Sequence, residues 1–165
     1  MQNLYLYEVE HNYLRFLHNI DSRVSVKYNN RPFVGIVTMI NGLNYLIPLT
    51  SQTTKKREEK GKKKRSSKVT TFVRDSKGEE IANILHNNMI PIKEEWCNKL
   101  NINAEEDTYE ANEIRFIRKN RERIIAKAQK IHDKRIEGND RFLNYICCDF
   151  ELLEDNYTKY IEQET

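Results

Sequence analysis

Two apolar runs joined by Asn41-Gly42 constrain this chain more than any other feature. Phe33 to Ile40 is almost continuously apolar and rich in β-branched residues, the composition of a buried strand. Leu43 to Leu49 returns with the same character. Asn41 and Gly42 both accept positive φ, which a two-residue hairpin turn demands. The hairpin ends on Thr50-Ser51 and runs straight into a basic loop. There Lys55, Lys56, Arg57, Lys60, Lys62, Lys63, Lys64, Arg65 and Lys68 face only Glu58 and Glu59, a local charge of +7. The whole chain carries +3, so the remainder is acidic and the positive charge is concentrated rather than general. A polyanion is the partner class that such a distribution suggests first. A solvated, disordered charge run is the other reading of the same residues.

A chain of 165 residues, 38% hydrophobic and 32% charged, fits one domain over 1–165, with a β core over about 3–100 and a helical part over about 108–162. The start, Met1-Gln2-Asn3-Leu4-Tyr5-Leu6-Tyr7, has no basic flank and soon turns polar, unlike a signal peptide, and no stretch reads as a membrane span. Cys97 and the adjacent Cys147-Cys148 make no disulfide framework, so a reducing cytoplasm is expected. His11, His18, His86 and His132 show no metal-ligand spacing, and neither a bound metal nor a cofactor is expected.

Along the chain, Leu4 to Tyr7 alternates as a short strand, and His11 to Ile20 has helical apolar spacing. Val69 to Arg74, Ile81 to Leu85 and Met89 to Ile92 read as further strands of one strongly bent sheet. From Thr108 to Ile136 there is no Pro or Gly, which predicts one long helix, or two with a break near Asn120, ended by Gly138. A last helix starts near Asp149. The class is therefore α+β, a small antiparallel β core with helices added mostly in the C-terminal half.

Thr50 and Ser51 stand where an apolar strand meets the cations, so their hydroxyls could hold a phosphate that lysines neutralise. The plain alternative is a cap or turn former. No G-x-S-x-G elbow supports a serine hydrolase. Tyr28 and Arg31, with Arg23 and Lys27 upstream, interleave an aromatic with basic residues, which suits a stacked RNA base beside a held phosphate. A tyrosine covering the sheet edge fits equally. Arg115, Arg118 and Lys119 could extend an RNA surface, although Glu110, Glu113 and Glu122 would also make an ordinary salt-bridged helix. No helix-turn-helix pattern points to DNA. On the residues alone, a non-catalytic RNA-binding protein and a nuclease both remain open.

Several of these words resemble one family. Phe33-Val34-Gly35-Ile36-Val37, Ile40-x-Gly42-x-x-Tyr45-Leu46-x-Pro48-Leu49-Thr50-Ser51, Asn87-Asn88-Met89-Ile90-Pro91-Ile92, Phe116-Ile117-x-x-Asn120, Gly138 and Cys148-Asp149-Phe150-x-Leu152-Leu153-Glu154 follow in order as in the ToxN/AbiQ endoribonuclease toxins of type III toxin–antitoxin systems, whose group includes CptN-like and TenpN-like members. The resemblance implies a bent β-barrel like that of the MazF/Kid toxins, and metal-independent RNA cleavage leaving 2′,3′-cyclic phosphate and 5′-hydroxyl ends. It also implies a repetitive pseudoknot antitoxin RNA as partner, bound in a closed alternating assembly, with cellular mRNA as substrate and a role in phage defence. Carried over by position, the catalytic set is Tyr28, Arg31, Thr50, Ser51 and Lys55, with Lys56 in reserve. Relatives follow the serine by Pro and a catalytic Lys, whereas Gln52-Thr53-Thr54 intervene here. Arg23, Lys27, Lys56, Arg57, Lys60, Lys62, Lys63, Lys64, Arg65, Lys68, Arg115, Arg118 and Lys119 form the expected RNA grip.

Overall fold

The computed structural model describes residues 4–26 and 32–161. Along the chain these form β1 (Leu6–Val9), α1 (His11–Ile20), β2 (Phe33–Ile40), β3 (Leu43–Thr50), α2 (Thr54–Glu59), β4 (Thr70–Arg74), β5 (Glu80–Leu85), β6 (Ile90–Pro91), β7 (Cys97–Lys99), α3 (Tyr109–Lys119), α4 (Arg121–Glu137), α5 (Arg141–Ile146) and α6 (Phe150–Asn156). The α+β class holds. No helix among the described residues is long and apolar enough to cross a membrane.

The hairpin organises the rest. β2 and β3 pair from Val34↔Leu49 to Ile40↔Leu43, and the turn places Asn41 at φ +51° and Gly42 at φ +82°, as the sequence predicts. Gly35 serves a different need. A Cβ there would stand 2.5 Å from the Ile47 carbonyl oxygen, so only glycine lets the two strands approach this closely. Above the hairpin the Tyr45 hydroxyl donates to Glu154 of α6, and the His132 Nε2 of α4 lies 2.6 Å from the same carboxylate oxygen. The hairpin is thereby tied to both C-terminal helices.

The sheet has seven strands in the order β4-β5-β3-β2-β1-β7, all antiparallel, with β6 also on β3. The outermost strands β4 and β7 do not pair, so among the described residues the sheet is not closed, where the resemblance implies a bent β-barrel. The reason is local: β3 gives its outer edge first to β6 at Tyr45–Leu46, and then to β5 through only Leu49↔Ile84 and Thr50↔Asn83. Helix α3 spans the resulting gap. Its Tyr109 hydroxyl donates to the Ile81 carbonyl of β5, and its Arg118 Nε donates to the Leu4 carbonyl beside β1. One buried cluster, from Leu4 to Tyr160, joins sheet and helices.

The predicted long helix is two, α3 and α4, broken at Asn120, whose side chain donates back to the Phe116 carbonyl at 2.9 Å. Gly138, at φ +81°, ends α4. Three elements lie outside the sequence expectation. α2 sits inside the stretch read as loop, and α5 precedes the expected last helix. β7 is a polar segment made a strand by pairing Tyr7–Val9 of β1.

Candidate functional site

β3 ends at Thr50, and residues 51–53 turn the chain into α2. Thr50 Oγ1 accepts the Gln52 N–H at 3.1 Å, and the Ser51 carbonyl accepts the Thr53 N–H at 2.9 Å. The Thr53 hydroxyl, in a residue 6% exposed, caps α2 by accepting the Lys56 N–H at 3.4 Å. Both threonines thus have local duties. Ser51 differs: it is half-buried, and its hydroxyl has no hydrogen-bond partner among the described residues.

A buried network fixes this corner. Thr50 lies opposite Asn83 of β5, which is 0% exposed. A buried amide must satisfy both of its ends. Asn83 Oδ1 accepts from Arg65 Nη1 at 2.9 Å, and its Nδ2 donates to Glu80 Oε2 and to the Ala82 carbonyl, each at 2.8 Å. Arg65 Nη1 also donates to the Gln52 carbonyl, and Glu80 Oε2 accepts the Thr54 N–H at 2.7 Å. The chain is therefore held on both sides of Ser51. Burial, with the Arg57 charge adding to it, pushes the Arg65 guanidinium down to about 10. Burial pushes the Glu80 carboxyl up, but hydrogen bonds from Asn83 and the Thr54 amide outweigh it and hold Glu80 below its ordinary range.

Thr50 and Ser51 line a cleft of about 330 Å³ between the strand ends and α3. Glu8, Glu110 and Glu113 line the same cleft, and none of its described lining residues is a Lys or Arg. The nearest cations in sequence are Lys55 and Lys56, exposed on α2 outside that lining. Ser51 therefore sits at a boundary between an acidic cleft and a basic helix. A phosphate is favoured only on the α2 side of that boundary.

The predicted cations divide by residue type. Arg65 is a clamp and not a free RNA contact. Arg23 pairs with Asp21 at 2.9 Å and donates to the Asn144 carbonyl. Arg57 donates to the Lys63 carbonyl, Arg115 to the Ala104 and Glu106 carbonyls, and Arg118 to that of Leu4. These five arginines brace the fold. Lys60, Lys62, Lys63 and Lys119 are exposed, while the Lys64 and Lys68 ammoniums lie over Phe72 and Phe142 at 4.9 and 5.7 Å. Tyr28, Arg31 and Lys27 lie outside the described residues. Sequence reasoning missed Asn83, Glu80 and the three cleft carboxylates. Asn83 alone gave a signal, as a polar residue inside the apolar stretch Ile81 to Leu85.

A family model described as toxin ToxN, type III toxin–antitoxin system, matches residues 5–158. The chain belongs to this ToxN family. Endoribonuclease ToxN of Bacillus thuringiensis subsp. kurstaki is 30% identical over 92% of this chain and 81% of its own length. Endoribonuclease AbiQ of Lactococcus lactis subsp. lactis is 29% identical over 98% and 92%. A solved structure from work on selective toxin inhibition by a non-coding RNA pseudoknot superposes with a TM-score of 0.79 at 28% identity, covering 98% of this chain and all of the other. A solved structure of AbiQ, a lactococcal anti-phage endoribonuclease, superposes with a TM-score of 0.80 at 23% identity over 96% and 98%, a likeness of fold. Thr53 stands where the resemblance places a lysine and is turned inward as a cap, and Lys55 and Lys56 come two and three residues later on α2.

Proposed function

We propose that this ToxN-family chain is an endoribonuclease toxin that cuts RNA at the Ser51 corner. The observation that supports this reading most is the Ser51 hydroxyl, without a hydrogen-bond partner among the described residues, between a strand-paired Thr50 and the clamped Gln52 and Thr54 that lead into a lysine-bearing helix. The ribose 2′-oxygen attacks the neighbouring phosphorus. The O2′–P bond forms as the P–O5′ bond breaks, the 2′-OH proton is removed, and O5′ receives a proton as it leaves. The products are a 2′,3′-cyclic phosphate and a 5′-hydroxyl. Ser51, with Thr50 beside it, positions the phosphate, and Lys55 with Arg31 offsets the charge that builds on the phosphorane. Lys56 is the alternative donor of that charge, and Tyr28 stacks a base next to the cut.

The partner is a cognate antitoxin RNA with pseudoknot repeats, cut from a precursor and then retained in a closed protein–RNA assembly. Free toxin cuts cellular transcripts in the cytoplasm, arrests growth and serves phage defence. Residues 1–165 act as one toxin unit, with the bent sheet as an open relative of the MazF/Kid barrel. The chemistry is metal-independent, and purified protein should cut at an unchanged rate in EDTA.

The decisive experiment is cleavage of the precursor RNA by purified variants. Ser51→Ala and Lys55→Ala are each expected to slow the reaction by about 100-fold or more. Wild-type rates in both would overturn the site. If induction without the antitoxin locus produced neither growth arrest nor new 5′-hydroxyl ends, the non-catalytic reading would replace this one.

A further inference from the structure

A second cleft, of about 280 Å³, opens where β4, the edge strand of the sheet, faces the corner between α3 and α4. Thr70, Phe72, Arg74, Phe116, Arg123 and Lys127 line it, and no lining residue is a carboxylate. Among the described residues, none of its three cations is ion-paired. Neutral groups hold them in place instead. Lys127 Nζ donates to the Ser67 and Thr70 carbonyls at 2.7 and 2.6 Å. Arg123 Nη1 donates to Asn120 Oδ1 at 3.2 Å, and Arg74 Nη1 to the Gly78 carbonyl at 3.1 Å. The Glu80 carboxylate, cross-strand partner of Arg74, feels the Arg74 charge but does not line the cleft, and the like charges that do line it repel one another unless an anion lies between them.

A second observation is independent of charge. Thr70 is 2% exposed, and its hydroxyl oxygen, itself buried, has no hydrogen-bond partner. Its neighbour Thr71, in contrast, has its hydroxyl 2.8 Å from His86 Nε2. Phe72 and Phe116 add flat apolar faces, and Lys64 reaches over Phe72 from the basic loop. Cations and aromatic rings together match a nucleotide better than a free inorganic anion. The sheet register also relates the cleft to Ser51. Thr50, Asn83 and Phe72 are successive cross-strand partners, which puts the Phe72 backbone two strand spacings, about 10 Å, from that of Thr50.

We propose that this cleft is a second subsite for single-stranded RNA, holding one phosphodiester among Arg74, Arg123 and Lys127 with its base against Phe72, while another phosphate of the same strand lies at Ser51. The proposal rests on the ribonuclease reading and extends it by giving the strand a direction, from β3 across β5 to the edge of the sheet. The strand belongs to the substrate or to an unpaired stretch of the antitoxin, which share this chemistry.

The test measures binding in a Ser51→Ala parent, so that RNA stays intact. Its two probes are an unstructured oligoribonucleotide and one antitoxin repeat. Adding Arg74→Ala and Arg123→Ala should weaken binding about tenfold or more, and lower the slope of log affinity against log salt by about 0.7. Phe72→Leu should weaken binding at least about fivefold and leave the slope unchanged, because it removes stacking and not charge. Loss on the oligoribonucleotide assigns the cleft to the substrate strand, and loss confined to the repeat assigns it to the antitoxin. Thermal melts identify any variant that folds poorly, and Arg123→Gln, at an exposed helical position, then carries the same prediction. Affinity and slope equal to those of the parent would overturn the subsite alone. A parent that bound neither RNA would overturn the ribonuclease reading with it.

Discussion

Replacing Arg65 by Lys separates two meanings of a cation in a basic loop. As an electrostatic contact to RNA, Arg65 would tolerate Lys well. As a clamp it would not, because both bonds leave one nitrogen, Nη1, and a lysine ammonium ends one bond short of the point from which the Gln52 carbonyl and Asn83 Oδ1 are both in reach. Arg65→Ala leaves the oxygen of a fully buried amide without its donor and frees one end of the Ser51 corner. An acceptor stranded in this way costs about 1–3 kcal/mol, and two of them together about 3 kcal/mol. For a chain of this size that loss lowers the melting temperature by about 6–12 °C. Arg65→Lys should lose about half as much. Both variants should also lower kcat, by up to about 100-fold if Ser51 shifts by an ångström. RNA affinity and its salt dependence should change little. Thermal melts, single-turnover cleavage and salt titration of binding measure the three quantities. The clamp is refuted if Lys restores wild-type melting and rate while Ala merely flattens the salt dependence.

Two further outcomes follow from groups buried elsewhere. Burial, reinforced by the Lys127 charge, pushes His86 down to about 3. Above about pH 6.5 neither the folded nor the unfolded state binds a proton there; below it only the unfolded chain does, until about pH 3. Stability should fall by about 1.4 kcal/mol per pH unit in that window, and the urea midpoint of His86→Gln should fall less steeply between pH 6.5 and 5. Gly35→Ala should lose about 3 kcal/mol from overpacking against the Ile47 carbonyl, read as a lower urea midpoint. An unchanged midpoint would show that the hairpin strands can separate at no cost.

The hairpin was legible because its information is local: Asn41-Gly42 admits a tight turn and the flanking runs are apolar on sight. The break at Asn120 was legible for the same reason. Sheet closure was not, since it depends on how few residues β5 shares with β3 and on α3 lying across the gap. Helix α2 carries no apolar periodicity; a Thr53 cap and the reach of Glu80 from another strand set its start. The position of Thr50-Ser51 at the end of a strand was readable. That Thr50 Oγ1 is engaged and Ser51 Oγ is not depends on the geometry of the turn. Charge counting also failed for the arginines, because a formal charge does not reveal whether a distant carbonyl stands within reach.

Five arginines of the anticipated RNA grip each donate to a main-chain carbonyl of the protein itself, while Lys55, Lys56, Lys60, Lys62 and Lys63 remain exposed. Among the cations anticipated from the sequence, those that brace the fold are arginines and those left exposed are lysines. Lys60, Lys62 or Lys63, beyond α2, can be exchanged without removing any side-chain interaction that holds the Ser51 corner. On the proposed function, an altered RNA partner is met by rearranging those lysines, and the scaffold stays unchanged.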